Sequence, residues 1–316
     1  MRIAFLELCH MDPAVVARVA DRLTENKNFD IYIHLDAKVD IAPFEAALSG
    51  NGRVFFVRNR KKVYWGGYNA VEATIELLKA ALDSNRDYDY FMLLQNLDYP
   101  IRSNEYIYNF FEQNAGKEFI RGCRIAKSKD WHYARKYRLY NKRDDDFYSN
   151  GKSTLKRYLR YLRMLLCSVT TIHFNGVIKE KDRNFEIYYG AAQWAVTQAC
   201  ARFIVKFAED HPAFNKKMMH IQFPDEEYFH TVVHNSAFKY RCVKYDEPEK
   251  RWLVNWRNLH YFEYPREITV FTERDFDKIM RQDALFIRKV KTGISDRLMD
   301  MIDEAVAFRT HKLFHM

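Results

Sequence analysis

The sequence predicts an α/β fold built on a doubly wound, mainly parallel sheet. Three observations carry this. Strand-like and helix-like segments alternate across the first hundred residues. The chain has 316 residues, 48% of them hydrophobic, enough for a substantial core. Glycine and proline are sparse, at 10 and 7, which argues for a folded globular chain.

"RIAFLEL" reads as the first strand, and the segment from about Asp12 to Asn26 as a helix. "FDIYIHLD" and "RVFFV" read as the second and third strands. "YNAVEATIELLKAALDS" is an amphipathic helix with Val71, Ile75, Leu78 and Leu82 on one face. "YDYFMLLQNLDYP" reads as a strand ending in a loop. Ligands of such sheets sit beyond the carboxyl ends of the strands, which directs attention to His10, to His34 through Lys38, and to Asn96 through Pro100.

The middle of the chain is less regular. "YNKRDDDFYSNGK" reads as an exposed loop. "KSTLKRYLRYLRMLLCSV" reads as a basic amphipathic helix with two readings open: it lies on an anionic membrane, or it is solvated with one face in the core. "GAAQWAVTQACARFIVKFAED" reads as a buried strand or turn followed by a helix. There are no repeats, low-complexity tracts or clear linkers. The expectation is therefore one domain over 1–316, with a first part to about residue 120 and a second part carrying a C-terminal extension.

The net charge is +9 and the pI near 9.1, which favours anionic partners: nucleotide phosphates, nucleic acid or an anionic membrane. Nucleic acid fits poorly, because the basic residues are dispersed and no RRM, zinc-finger or helix-turn-helix pattern occurs. Cys9, Cys123, Cys167, Cys200 and Cys242 are odd in number and far apart, without a C-x-x-C pair. This argues against a disulfide framework or structural zinc and fits a reducing compartment. "MRIAFLELCHMDP" lacks the pattern of a signal peptide, and no window approaches the ~20 apolar residues of a membrane span.

Common catalytic motifs are missing: no Walker loop, G-x-G-x-x-G, G-x-S-x-G or H-E-x-x-H. "DYD", Asp87 to Asp89, matches a metal-binding D-x-D but precedes its strand instead of following it. Asp144 to Asp146 falls in the expected loop. Both read as solvated acids, and no metal is expected. Asp98, in "QNLDYPIRS", stands at the functional edge of the sheet, where turn chemistry also explains an Asp before a Pro. In "IQFPDEEYFH", Pro224 and the acids after it suit the first turn of a helix, and whether Glu226 or Glu227 does chemistry stays open on this stretch alone.

Together these fragments resemble the core-2/I-branching glycosyltransferase family, which includes β-1,6-N-acetylglucosaminyltransferases and peptide O-xylosyltransferases. "HMDP" is similar to its first nucleotide loop, "IHLDAKVD" to its His-x-Asp-x-Lys segment, and "VYWGGYNAVEA" to the aromatic-Gly stretch before its long helix. "LDYPIRS" resembles its Asp-aromatic-Pro loop, and "GAAQWAV" its Gly-Ser-x-x-aromatic element, with Ala191 where Ser is usual. "PDEEYF" resembles its Pro-Asp-Glu segment and "FIRKV" its Phe-[AI]-[RN]-Lys-Phe end.

The resemblance implies a GT-A-like nucleotide-sugar-binding fold in a metal-independent variant, and an inverting transfer from a UDP-sugar. UDP-GlcNAc is the favoured donor, with UDP-xylose or another UDP-sugar as the alternative. Glu226 is implied as the general base, and Arg266 and Lys289 as the cations that steady the departing diphosphate. His10, Asp36 and Lys38 are implied around the uridine, and Trp65 and Gly67 in the donor pocket. Trp256, Asp98 and Gln193 are implied on the acceptor side, although Asn258 replaces a second aromatic there. No cofactor is expected. The partners implied are a UDP-sugar and a carbohydrate or glycolipid acceptor, with peripheral contact to an anionic membrane. The animal members' disulfides and anchor are not evident, so the expectation is a bacterial cytoplasmic enzyme at the inner face of the cell membrane, in surface polysaccharide or glycolipid synthesis. A basic binding protein without catalysis is the rival.

Overall fold

The computed structural model describes residues 1–141, 144, 154–171 and 175–314. In chain order its first part comprises β1 (Ile3–Cys9), α1 (Pro13–Thr24), β2 (Phe29–Leu35), α2 (Ala42–Ala47), β3 (Val54–Phe56) and α3 (Asn69–Leu82). Then come β4 (Tyr90–Gln95), β5 (Asp98–Pro100), α4 (Asn104–Gln113), β6 (Gly122–Arg124), α5 (Trp131–Arg138) and α6 (Thr154–Thr171). They are followed by β7 (Val177–Glu180), β8 (Arg183–Glu186), β9 (Tyr188–Gly190), β10 (Ala195–Thr197), α7 (Gln198–Asp210) and α8 (Pro212–Met218). A 3-10 turn (Pro224–Glu226) leads into α9 (Tyr228–His234), and the last elements are β11 (His260–Phe262), α10 (Phe276–Met280), β12 (Phe286–Arg288) and α11 (Asp296–Phe314).

The main sheet has the order β10-β4-β1-β2-β3. β1, β2, β3 and β4 run parallel, and β10 is antiparallel to β4. The expected parallel α/β fold is therefore present, with one antiparallel edge strand. Strand periodicity explains how both faces are covered. Ile3 and Phe5 of β1 point into one core with α1, whereas Ala4 and Leu6 point into the other with α3 and α7. Val71, Ile75 and Leu78 of α3 are buried as the periodicity predicts, and Leu82 is partly buried.

β1 lies between β2 and β4, so the connections leave it in opposite directions and open a crevice at its carboxyl end. The amides of His10 and Met11 close the turn there by donating to Asn96 Oδ1, at 3.2 and 2.8 Å. Asp12 then adopts a left-handed conformation (φ 56°), accepts from the Val15 amide and starts α1 ahead of Pro13. A second sheet, β11-β12-β5, packs beside this edge. β12 runs antiparallel to β5, and the register sets Arg288 opposite Asp98.

Two expectations are refined. The acidic stretch after Ile221 is a 3-10 turn followed by a separate helix, because Phe223 is left-handed (φ 56°) and Glu227 caps the turn. The expected loop from Tyr140 to Lys152 falls mostly outside the described residues. Within it, Asp144 accepts from the Asn69 amide at 3.2 Å, while Asp145 and Asp146 lie outside. Cys9, Cys123, Cys200 and Cys242 are buried free thiols, and no described helix is long and apolar enough to cross a membrane.

Candidate active site

A cavity of about 630 Å³ lies over the carboxyl ends of β1, β2 and β4. Its floor includes Cys9, His10, His34, Asp36, Gln95 and Asn96, and its walls come from α5, the Gln222–Glu226 turn and the C-terminal sheet. The sequence-predicted residues His10, Asp36, Lys38, Trp65, Gln193 and Glu226 all line it.

The β2 end is held rigidly. Arg60 donates to the carbonyls of Leu35 and Asp36, at 3.0 and 2.9 Å, satisfying the end of the strand. Asp36 accepts from the Lys38 amide at 2.9 Å and pairs with Lys38 Nζ at 3.1 Å. The same ammonium lies 4.0 Å from the centre of the Tyr64 ring. His34 accepts from the Lys61 amide at 2.8 Å, and burial pushes its pKa down to about 4, so it is neutral. His10 is also lowered, first by burial and then by the Arg288 charge.

The opposite wall carries the acids. Asp130 caps α5 by accepting from the His132 amide, and the helix directs Lys136 inward, only 5% exposed. Lys136 Nζ lies 3.2 Å from both Glu226 Oε2 and Glu227 Oε1, and 4.3 Å from the centre of the Tyr189 ring. Burial works against the Lys136 charge, but Glu227 and Glu226 outweigh it and its pKa is raised. Glu227 is fully buried and raised well above the carboxylate range by burial, with the Glu226 charge adding to this. Asp225 is pushed up to about 7 by burial and by the Glu226 charge. Of the two glutamates, Glu226 faces the cavity and Glu227 does not.

Five expected positions differ. Trp256 is fully buried, its indole N–H donating to the Lys250 carbonyl at 3.0 Å, so its ring is closed to a ligand. Trp252, one 3-10 turn earlier, lines the cavity and is 61% exposed. Asp98 is buried and engaged with Arg288 (2.9 Å), His260 (3.1 Å) and the Gln95 amide (2.8 Å), so it positions neighbours and does not face the cavity. Gly67 is buried in the turn closed by its own amide on Tyr64, and it is Gly66 that lines the cavity. Arg266 and Lys289 stand outside the lining, whereas Arg288 belongs to it. Arg266 is exposed in the loop after β11. Lys289 is partly buried, with its pKa lowered by burial and by Arg288.

Sequence reasoning missed Lys136, Arg288 and Trp252. Arg288 and Trp252 stand near singled-out residues, but nothing in "WHYARKYR" marks Lys136. Among the described residues, no three His, Cys, Asp or Glu side chains group to hold a metal. Asp89 accepts from the Arg2 amide at the amino end of β4, the far end of that strand from the cavity.

Comparison with known proteins agrees with this architecture. The sequence profile described as Core-2/I-Branching enzyme matches residues 3–280. The chain is similar to Xylosyltransferase oxt of Drosophila melanogaster, 20% identical over 233 residues, which cover 72% of this chain and 23% of that protein. It is also similar to human Xylosyltransferase 2, 19% identical over 323 aligned positions, 96% of this chain and 33% of the relative. The chain thus spans a quarter to a third of the length of these curated relatives. With a GT-A-like α/β fold and a match over most of its length, the chain belongs to the Core-2/I-Branching enzyme family of glycosyltransferases.

Proposed function

We propose that the protein moves a sugar, GlcNAc in the first reading, from a UDP-sugar to a hydroxyl of a carbohydrate or glycolipid acceptor, inverting the anomeric centre to a β-linkage. The observation that carries this reading is the shape of one cavity. A half-buried carboxylate, Glu226, faces a floor of strand-end residues and a cation, Arg288. In the proposed reaction Glu226 takes the proton of the acceptor hydroxyl as its oxygen bonds to the anomeric carbon, and the bond to the UDP oxygen breaks on the opposite face. One base suffices because the diphosphate is a good leaving group, whereas glycoside hydrolysis needs a second carboxyl as acid. Arg288 takes the developing charge, with Lys289 next to it in the chain, so the reading requires no metal. His10, Asp36 and Lys38 hold the nucleoside end, and Trp252 offers the acceptor sugar an exposed aromatic face. The setting proposed is surface polysaccharide or glycolipid synthesis in a bacterial cytoplasm.

A UDP-xylose donor is the second reading, favoured because both relatives above bear the name xylosyltransferase. A panel of UDP-sugars, assayed for binding and slow hydrolysis with and without EDTA, separates the readings. One donor should bind and turn over equally in both conditions. Binding of none would sink the enzymatic reading, and activity only with added manganese would sink the metal-free mechanism.

A further inference from the structure

Among the described elements, α6 carries the most exposed large apolar side chains. Leu155, Tyr158, Leu159, Leu162, Leu165 and Leu166 are all exposed, Leu155 and Tyr158 at 67% each. At 100° per residue these six fall within an arc of roughly 120° on one side of the helix. The stripe that the sequence left open to either core or membrane thus faces outward. The helix is also cationic in sequence: it carries Lys156, Arg157, Arg160 and Arg163 and no acidic residue. It is tied to the rim of the cavity. Arg163 lies 5.9 Å from the centre of the Tyr140 ring, and Tyr140 stacks on His220 at 4.6 Å, two residues before the cavity-lining Gln222.

We propose that α6 docks the protein on an anionic lipid surface, lying in the interface with its exposed leucines among the acyl chains, its cationic sequence matched by the anionic headgroups. Charge selects this occupant. A second copy of the helix would bring eight cations together without an acid of α6 to offset them, whereas anionic headgroups meet them favourably. Tyr158 and Tyr161, both exposed, suit the boundary between acyl chains and water. Docking there would set the cavity rim beside the lipid surface. The inference goes beyond the catalytic reading, since lipid binding requires no turnover.

The test is flotation of the full chain with phosphatidylcholine vesicles, with and without one third phosphatidylglycerol. The expected result is binding to the anionic vesicles only. Arg160→Glu/Arg163→Glu should weaken it by roughly thirtyfold or more, at about 1 kcal/mol for each basic residue lost. Leu162→Asp/Leu166→Asp should abolish it. UDP-sugar hydrolysis and the melting temperature of both variants should stay at the parent values, so loss of lipid binding is distinguishable from failure of the catalytic reading. Equal binding to neutral vesicles, or variants that float like the parent, would overturn the proposal. So would a dimer that Leu162→Asp/Leu166→Asp dissolves while the parent ignores vesicles, which would give the face to a second copy.

Discussion

Two clusters of buried charge flank the cavity, and they are balanced in opposite ways. At Asp98 a single carboxylate meets Arg288 and His260. Burial alone would raise its pKa, but His260 and Arg288 outweigh burial and hold it below the usual range. Across the cavity Asp225, Glu226 and Glu227 share one buried cation, Lys136, and burial raises both Asp225 and Glu227. One side is a settled ion cluster that leaves an arginine facing the cavity. The other is short of positive charge and presents the more exposed of its two glutamates to the same space. A reaction that releases an anion and a proton needs that asymmetry: a cation where the anion forms and an acceptor where the proton leaves.

Glu226→Gln should have the largest effect, because it keeps the shape and removes the proton acceptor. Transfer should fall by about 10³-fold or more, within the range for loss of a general base, while calorimetric UDP binding stays near normal. Turnover close to the parent rate would remove Glu226 from its role. Lys136→Met should have the next largest effect, about 10²-fold on kcat, since Glu226 loses the contact that fixes Oε2. Breaking such a buried pair also costs about 3 kcal/mol. Thermal melts should show that loss, and Lys136→Met/Glu227→Gln should regain part of the stability without regaining kcat. Recovery of both together would make Lys136 a purely structural residue. Asp98→Asn is the mildest change. It removes the carboxylate charge that pairs with Arg288, leaving neutral acceptors such as the Asn96 carbonyl, and should weaken UDP about tenfold, a typical worth of one charged hydrogen bond, with uridine unaffected. Equal losses for uridine and UDP would show that Arg288 does not act on phosphate.

The half of the site at the strand ends was legible because its geometry is local. A strand's carboxyl end follows from periodicity, so His10, Asp36 and Lys38 could be placed from the order of residues alone. Pro224 likewise marked the turn that carries Glu226. Lys136 could not be found this way, because its meaning comes from acids 90 residues later in the chain. The tryptophans show the finest limit. Trp252 and Trp256 are separated by one 3-10 turn, and the direction each faces depends on where that turn docks, with Trp256 packed edge-on to Tyr189. For α6, periodicity revealed an apolar stripe, but only the packing of its neighbours decides whether a stripe faces core or solvent.

The pairing of β12 with β5 has a temporal meaning. Arg288 reaches Asp98 across 190 residues, so a chain emerging from the ribosome completes the floor of its cavity long before the cation above it exists. The site gains its full charge only when the last strand slots in, and a chain cut short of Phe286 would keep the strand-end floor of the cavity without Arg288.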